Sequence, residues 1–121
     1  MPAEPRPYTD FSVHVAPSPE GGTDVSIFGE LDLATVDEVE GALGAALDAD
    51  GPVTIDMRAC GFVDSRGIAV LVKAALRLRH EGRDLKMVGV QDRVMRTLER
   101  AGVTSMDHLE FEPQERLSRP S

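Results

Sequence analysis

The chain has 121 residues, a hydrophobic fraction of 41%, a charged fraction of 28% and a formal net charge of −8. That length supports one layered core and not two, and no apolar run nears the ~20 residues that span a bilayer. The acidic balance argues against nucleic-acid binding, which needs clustered lysine and arginine. A single cysteine, Cys60, excludes an internal disulfide framework. The opening Met1-Pro2-Ala3-Glu4-Pro5-Arg6-Pro7 has no hydrophobic segment of the signal-peptide kind, so a cytoplasmic protein without a membrane partner is expected.

Residues 1–9 and 113–121, rich in proline and polar groups, are expected to be disordered tails around one domain over 10–112. Phe11, Val13 and Val15 alternate with polar residues, the period of a half-buried strand. Pro17-Ser18-Pro19-Glu20-Gly21-Gly22 reads as a turn, and Val25 to Gly29 as the second strand of an antiparallel hairpin. Thr35-Val36-Asp37-Glu38 has the capping-box pattern, in which the threonine hydroxyl reaches the N–H of Glu38. Val36, Val39, Leu43, Ala46 and Leu47 then line one face of a helix that Gly51-Pro52 stops.

Val53–Met57 is a buried strand ending near Asp56, and a second helix follows from Ser65 to about Glu81, with Gly82 as its stop. Ile68, Leu71, Val72, Ala75 and Leu76 are its expected core face, and Asp64 is its expected cap. Arg66, Lys73 and Arg77 fall on the outer face, with Arg77 and Glu81 an i, i+4 pair. Leu85, Met87 and Val88 make another strand. Val94, Met95, Leu98 and Ala101 mark a third helix closed by Gly102, and a last strand runs from about His108 to Phe111. The order β-β-α-β-α-β-α-β predicts an α/β domain with a small mixed sheet, its later strands parallel through right-handed crossovers.

Enzyme motifs are missing. There is no phosphate-binding Gly-x-x-x-x-Gly-Lys-Ser/Thr, no Gly-x-Gly-x-x-Gly, and no Gly-x-Ser-x-Gly around Ser65. His14, His80 and His108 are scattered, and His80 lies at the far end of the Ser65 helix, so Ser65 has no evident base. Cys60 has no cysteine or histidine at a zinc spacing. Glu30-Leu31-Asp32-Leu33-Ala34-Thr35 is superficially similar to the Asp-x-Asp-x-Thr of haloacid-dehalogenase-type phosphatases, but Glu30 replaces the nucleophilic aspartate. Asp56 at a strand end resembles a response-regulator phosphoacceptor, but that site needs an acidic pair at the end of an earlier strand and a later lysine, and the candidate lysine, Lys86, falls inside a strand. Glu30, Asp32 and Asp64 are expected near one end of the sheet as a solvated acidic rim, with a cation site as the alternative reading. Ser65 is the remaining feature: a hydroxyl at a helix start, off the apolar face, where the helix dipole favours an anion.

Gly29-Glu30-Leu31-Asp32, Thr35, Ile55-Asp56-Met57 and Phe62-Val63-Asp64-Ser65-Arg66-Gly67 resemble, in order and spacing, the bacterial anti-sigma factor antagonists of the STAS family (sulfate transporter and anti-sigma factor antagonist). The likeness runs from about Phe11 to Phe111 and includes the later strand, the third helix and Ala101-Gly102-Val103. It implies a partner switch and not an enzyme, with no cofactor. The unphosphorylated antagonist binds an anti-sigma factor serine kinase and frees the sigma factor, phosphorylation of the serine matching Ser65 breaks the complex, and a metal-dependent serine phosphatase resets it. The implied partner-binding residues are Glu30, Asp32, Asp64, Ser65, Arg66 and Gly67. Arg66 departs from the better-known members, which carry serine or threonine after the phosphoserine. A non-switching scaffold or small-ligand module is the alternative within the same family.

Overall fold

The computed structural model describes residues 11–113, so the expected tails lie almost wholly outside the described residues. The elements run β1 (Ser12–Pro17), β2 (Thr23–Leu31), α1 (Val36–Asp48), β3 (Val53–Val63), α2 (Ser65–His80), β4 (Leu85–Val90), α3 (Asp92–Arg100), a 3₁₀ turn (Val103–Ser105) and β5 (Leu109–Pro113). This is the expected order. The β1–β2 hairpin is antiparallel, with Val13 opposite Ile27 and Val15 opposite Val25. Its turn is closed by the Ser18 N–H donating to the Gly22 carbonyl at 3.0 Å and the Gly21 N–H donating to the Ser18 carbonyl at 3.1 Å.

The five strands lie in sequence order, β1-β2-β3-β4-β5, and every pairing after the hairpin is parallel. Right-handed crossovers that always step to the next strand put all three helices on one face of the sheet. Burial agrees. Val25, Ile27, Leu31, Val53, Ile55, Met57, Leu85 and Met87 are shut in beneath the helices. Asp24, Ser26, Phe28, Thr54, Asp56, Arg58 and Lys86 lie on the opposite, open face. Val36, Val39, Leu43 and Ala46 form the inner face of α1, as their spacing predicts. Gly82, at φ +71°, ends α2 through the Gly82 N–H to the Arg79 carbonyl and the Arg83 N–H to the Leu78 carbonyl, the two bonds of a Schellman stop.

Four expectations change. First, β3 does not end near Met57 but continues to Val63 beside β2, so Asp56 is mid-strand and Phe62-Val63 are strand residues rather than a connection. Asp56 accepts the Arg58 N–H at 3.0 Å and bends the strand locally. Second, α2 is rolled relative to its apolar pattern. Ala74 and Leu78 are buried, while Leu76 is 43% exposed. Third, Thr35 does not make the capping box: no side-chain cap bond forms at the start of α1. Its hydroxyl donates to the Glu30 carbonyl at 2.7 Å and accepts the Asp32 N–H at 3.0 Å, which ties the preceding loop instead. Fourth, Ala101 is exposed just beyond α3, and Val103 in the 3₁₀ turn fills the core there.

Candidate partner-binding site

The parallel pairing of β2 with β3 brings two chain exits side by side. Leu31 is opposite Val63, so the loop after β2 and the start of α2 leave the sheet at the same end. Gly29, at φ +111°, sits in β2 at the second of its two register shifts against β3, between Phe28 and Glu30. A Cβ there would lie 3.2 Å from the Phe11 Cα, so both the dihedral and the close approach require glycine.

Asp64 joins the two exits. Its N–H donates to the Leu31 carbonyl at 3.0 Å. Its Oδ1 accepts the Arg66 and Gly67 N–H groups at 2.9 and 3.0 Å, satisfying two free donors of α2, as its cap role predicts. Its Oδ2 reaches across 31 residues of sequence to accept the Leu33 N–H at 3.2 Å. One carboxylate therefore fixes both the helix start and the loop that carries Asp32 and Leu33. Asp32 Oδ1 accepts the Ala34 N–H at 3.0 Å within that loop.

Ser65 is the first residue of α2 and is exposed, with exposed Arg66 beside it. Glu30, near the end of β2, lies opposite Phe62 and is also exposed. Asp32 and Asp64 are half-buried by their own hydrogen bonds. Gly67 is different: it is buried, and a Cβ on it would come 2.6 Å from Leu31 Cγ and 2.9 Å from the Leu31 carbonyl oxygen. It is a spacer that lets α2 sit down on β2 and β3.

Two residues absent from the expected site stand out. Leu33 is 63% exposed in the loop that Asp64 holds, and Phe62 is 42% exposed two residues before Asp64. An isolated leucine within Asp32-Leu33-Ala34-Thr35 is the sequence signal for the first. The second became visible only when β3 proved to reach Val63. Together they supply apolar anchors beside a hydroxyl and an acidic rim, the usual make-up of a protein-docking surface.

The other candidate groups lie elsewhere. His14 sits edge-on to Phe28 on the open sheet face, with ring centroids 5.6 Å apart. His108 Nδ1 is 2.8 Å from Asp84 Oδ1, and His80 is the last residue of α2. Cys60 is buried, and desolvation pushes its thiol pKa above the ordinary value. Among the described residues no three His, Cys, Asp or Glu side chains converge in a metal-holding group.

A family model described as "Mlab, STAS domain" matches residues 16–110. The anti-sigma-B factor antagonist of Staphylococcus aureus (strain NCTC 8325 / PS 47) is 30% identical over 88 residues, covering 71% of this chain and 81% of that one. The chain belongs to the STAS-domain family of anti-sigma factor antagonists. The anti-sigma-B factor antagonist of Listeria monocytogenes serovar 1/2a is 32% identical over 84 residues, covering 69% of this chain and 74% of the relative. Among solved structures, an anti-sigma factor antagonist from Mycobacterium paratuberculosis superposes with a TM-score of 0.69 at 24% identity, covering 84% and 86% of the two chains. The Bacillus cell fate determinant SpoIIAA, solved in its phosphorylated form, gives 0.65 at 13% identity over 85% and 93%. At those identities the structures establish the shared STAS fold. No helix among the described residues is long and apolar enough to cross a membrane.

Proposed function

We propose that this STAS domain is a phosphorylation-controlled antagonist of an anti-sigma factor. In its unphosphorylated state it binds an anti-sigma factor serine kinase through the surface around Ser65 and so releases the sigma factor. The kinase transfers a phosphoryl group to the Ser65 hydroxyl, the complex separates, and a metal-dependent serine phosphatase removes the phosphate. The protein works in the cytoplasm and touches nucleic acid only through its partners.

The observation that carries this reading is the position of Ser65: an exposed hydroxyl on the first residue of α2, set among Leu33, Phe62, Glu30 and Asp32 and held by the Asp64 cap. Phosphorylation adds about −1.5 to −2 charges at that point. Asp64 already occupies the Arg66 and Gly67 N–H groups. A phosphate therefore finds the helix end partly taken by a carboxylate of like charge and projects toward the partner. A loss of about 4 kcal/mol across the interface weakens binding roughly a thousandfold.

The test begins with capture of the kinase from lysate on the unphosphorylated protein, followed by incubation with ATP and mass spectrometry. The phosphate should map to Ser65. Ser65→Ala should fold, bind the kinase and remain bound in the presence of ATP, whereas Ser65→Glu should bind more weakly. Phosphate on another residue, or ATP-driven release of Ser65→Ala, would reject the switch. Stable binding without any phosphorylation would favour the non-switching scaffold reading.

A further inference from the structure

α3 buries Val94 and Leu98 against the sheet. Its outward stripe is Arg93, Arg96 and Arg100, all exposed. Their i, i+3, i+7 spacing stacks them along one side of the helix, over roughly 10 Å at about 1.5 Å per residue. This is an unusual arrangement in a chain with 21 acidic and 13 basic residues, where carboxylates are plentiful. Several exposed cations elsewhere use them: Lys73 pairs with Glu40, Arg77 with Asp48 and Glu81, and Lys86 with Glu112, whereas among the described residues Arg66 and Arg79 stand singly without one. Among the described residues Arg96 and Arg100 have no ion pair, and Arg93 makes a long hydrogen bond, 3.4 Å from Nη1 to the Gly61 carbonyl.

The stripe works against the isolated domain. Like charges three and four residues apart on a helix repel. Arg100 in the last turn is favoured by the helix dipole, but Arg93 in the first turn is not. The placement is nevertheless firm. Gln91 Nε2 donates to the Arg58 carbonyl at 3.1 Å, and with the Arg93 bond to Gly61 it holds the start of α3 against the far half of β3, the strand that leads directly into Asp64 and Ser65. The basic stripe thus begins next to the Ser65 end of the molecule and runs away from it.

We propose that Arg93, Arg96 and Arg100 form a second docking surface for the protein partner that engages Ser65, and that they receive a carboxylate-rich surface of that partner. This inference rests on the function proposed above. An acidic protein surface fits better than a long polyanion. Asp92 and Glu99 flank the stripe on the same helix, and the whole chain carries −8, so an extended nucleic acid or anionic bilayer would meet repulsion on every side of a patch only ~10 Å long. A protein partner can match the stripe locally and keep its own acids away from the rest. Such a surface acts mainly on the rate of encounter, steering the partner onto Ser65.

The experiment measures association and dissociation of the full chain with the captured kinase by stopped flow, at about 0.1 M and about 1 M salt, where the screening length falls from ~10 to ~3 Å. For the wild type, association should slow about tenfold or more between the two conditions. The triple reversal Arg93→Glu/Arg96→Glu/Arg100→Glu should associate about tenfold more slowly at low salt, lose most of that salt dependence, and dissociate at an unchanged rate. Arg96→Ala/Arg100→Ala, which leaves the Gly61 contact in place, should fall between them and guards against misfolding of the triple variant. Equal association rates for all three proteins would overturn the inference and leave the proposed function standing. Failure of the wild type to bind any such kinase would overturn both. Binding of the wild type to duplex DNA or phosphatidylglycerol vesicles at low salt, lost in the triple variant, would assign the stripe to a polyanion and also overturn the inference.

Discussion

Thr35→Val tests the loop beside Ser65 most directly. Thr35 is 2% exposed, and its hydroxyl both donates to the Glu30 carbonyl and accepts the Asp32 N–H. Valine keeps the shape and deletes both bonds. Each is worth about 1 kcal/mol net, and more if the stranded backbone group cannot reach water. The expected loss is therefore about 2 kcal/mol. For a domain of this size that lowers the thermal midpoint by roughly 8–16 °C, and it moves the urea midpoint by about 1 M. Thr35→Ser keeps both bonds and removes one methyl, at a cost of about 0.8 kcal/mol. Urea unfolding followed by circular dichroism separates the two variants. The reasoning is refuted if valine matches the wild type, or if serine proves the more damaging change. Since Leu33 rides on the same loop, the valine variant should also bind the proposed kinase partner more weakly in a native titration.

Gly67→Ala should destabilise the domain by about 1–3 kcal/mol through overpacking against Leu31, read as a lowered unfolding midpoint; an unchanged midpoint would mean that α2 can lift off β2 without cost. Glu81 is held below its ordinary pKa of 4.5 first by the hydrogen bond from Arg83 and then by that from Arg77. Its contribution is present above that ordinary value and lost as pH falls through the lowered one, so Glu81→Gln should flatten the stability profile below about pH 4.5; an acid limb of unchanged steepness in acid titrations of the two proteins would count against it. Cys60, buried and with its thiol pKa raised, should react with a disulfide reagent only as fast as the domain opens, so labelling should accelerate with urea; immediate labelling of the native protein would contradict its burial.

Element order was legible because local rules and the global fold agree over most of the chain. Val36, Val39, Leu43 and Ala46 repeat with the helical period and are buried, and Gly82 stops α2 where a left-handed residue is needed. What was hidden depends on partners distant in sequence. Arg58-Ala59-Cys60-Gly61 breaks strand alternation because β3 takes up an extra residue against β2 at each of two register shifts, and only the pairing with β2 carries β3 on to Val63. The roll of α2 is set where Gly67 presses on Leu31, and no periodicity count contains that contact. Thr35 followed by Glu38 fits a capping box, but the Glu30 carbonyl, five residues upstream, takes the hydroxyl instead. At the site, Asp64 and Ser65 were readable from the cap pattern, whereas the reach of Asp64 to Leu33 and the exposure of Phe62 required the β2–β3 pairing to be known.

The strand order β1-β2-β3-β4-β5 bears on how the molecule is made. No strand has to be threaded between two others already in place. Each new strand closes a single hairpin or crossover onto the edge left by its predecessor, so most loop-closure entropy is met in small instalments and the contact order is low for a largely parallel sheet. A chain emerging from the ribosome can dock β2 on β1, then β3 with α1, and then each later pair, without waiting for its C-terminus. The Ser65 surface is built from β2, β3 and the first turn of α2, so it draws no strand from the part of the sheet that is added last.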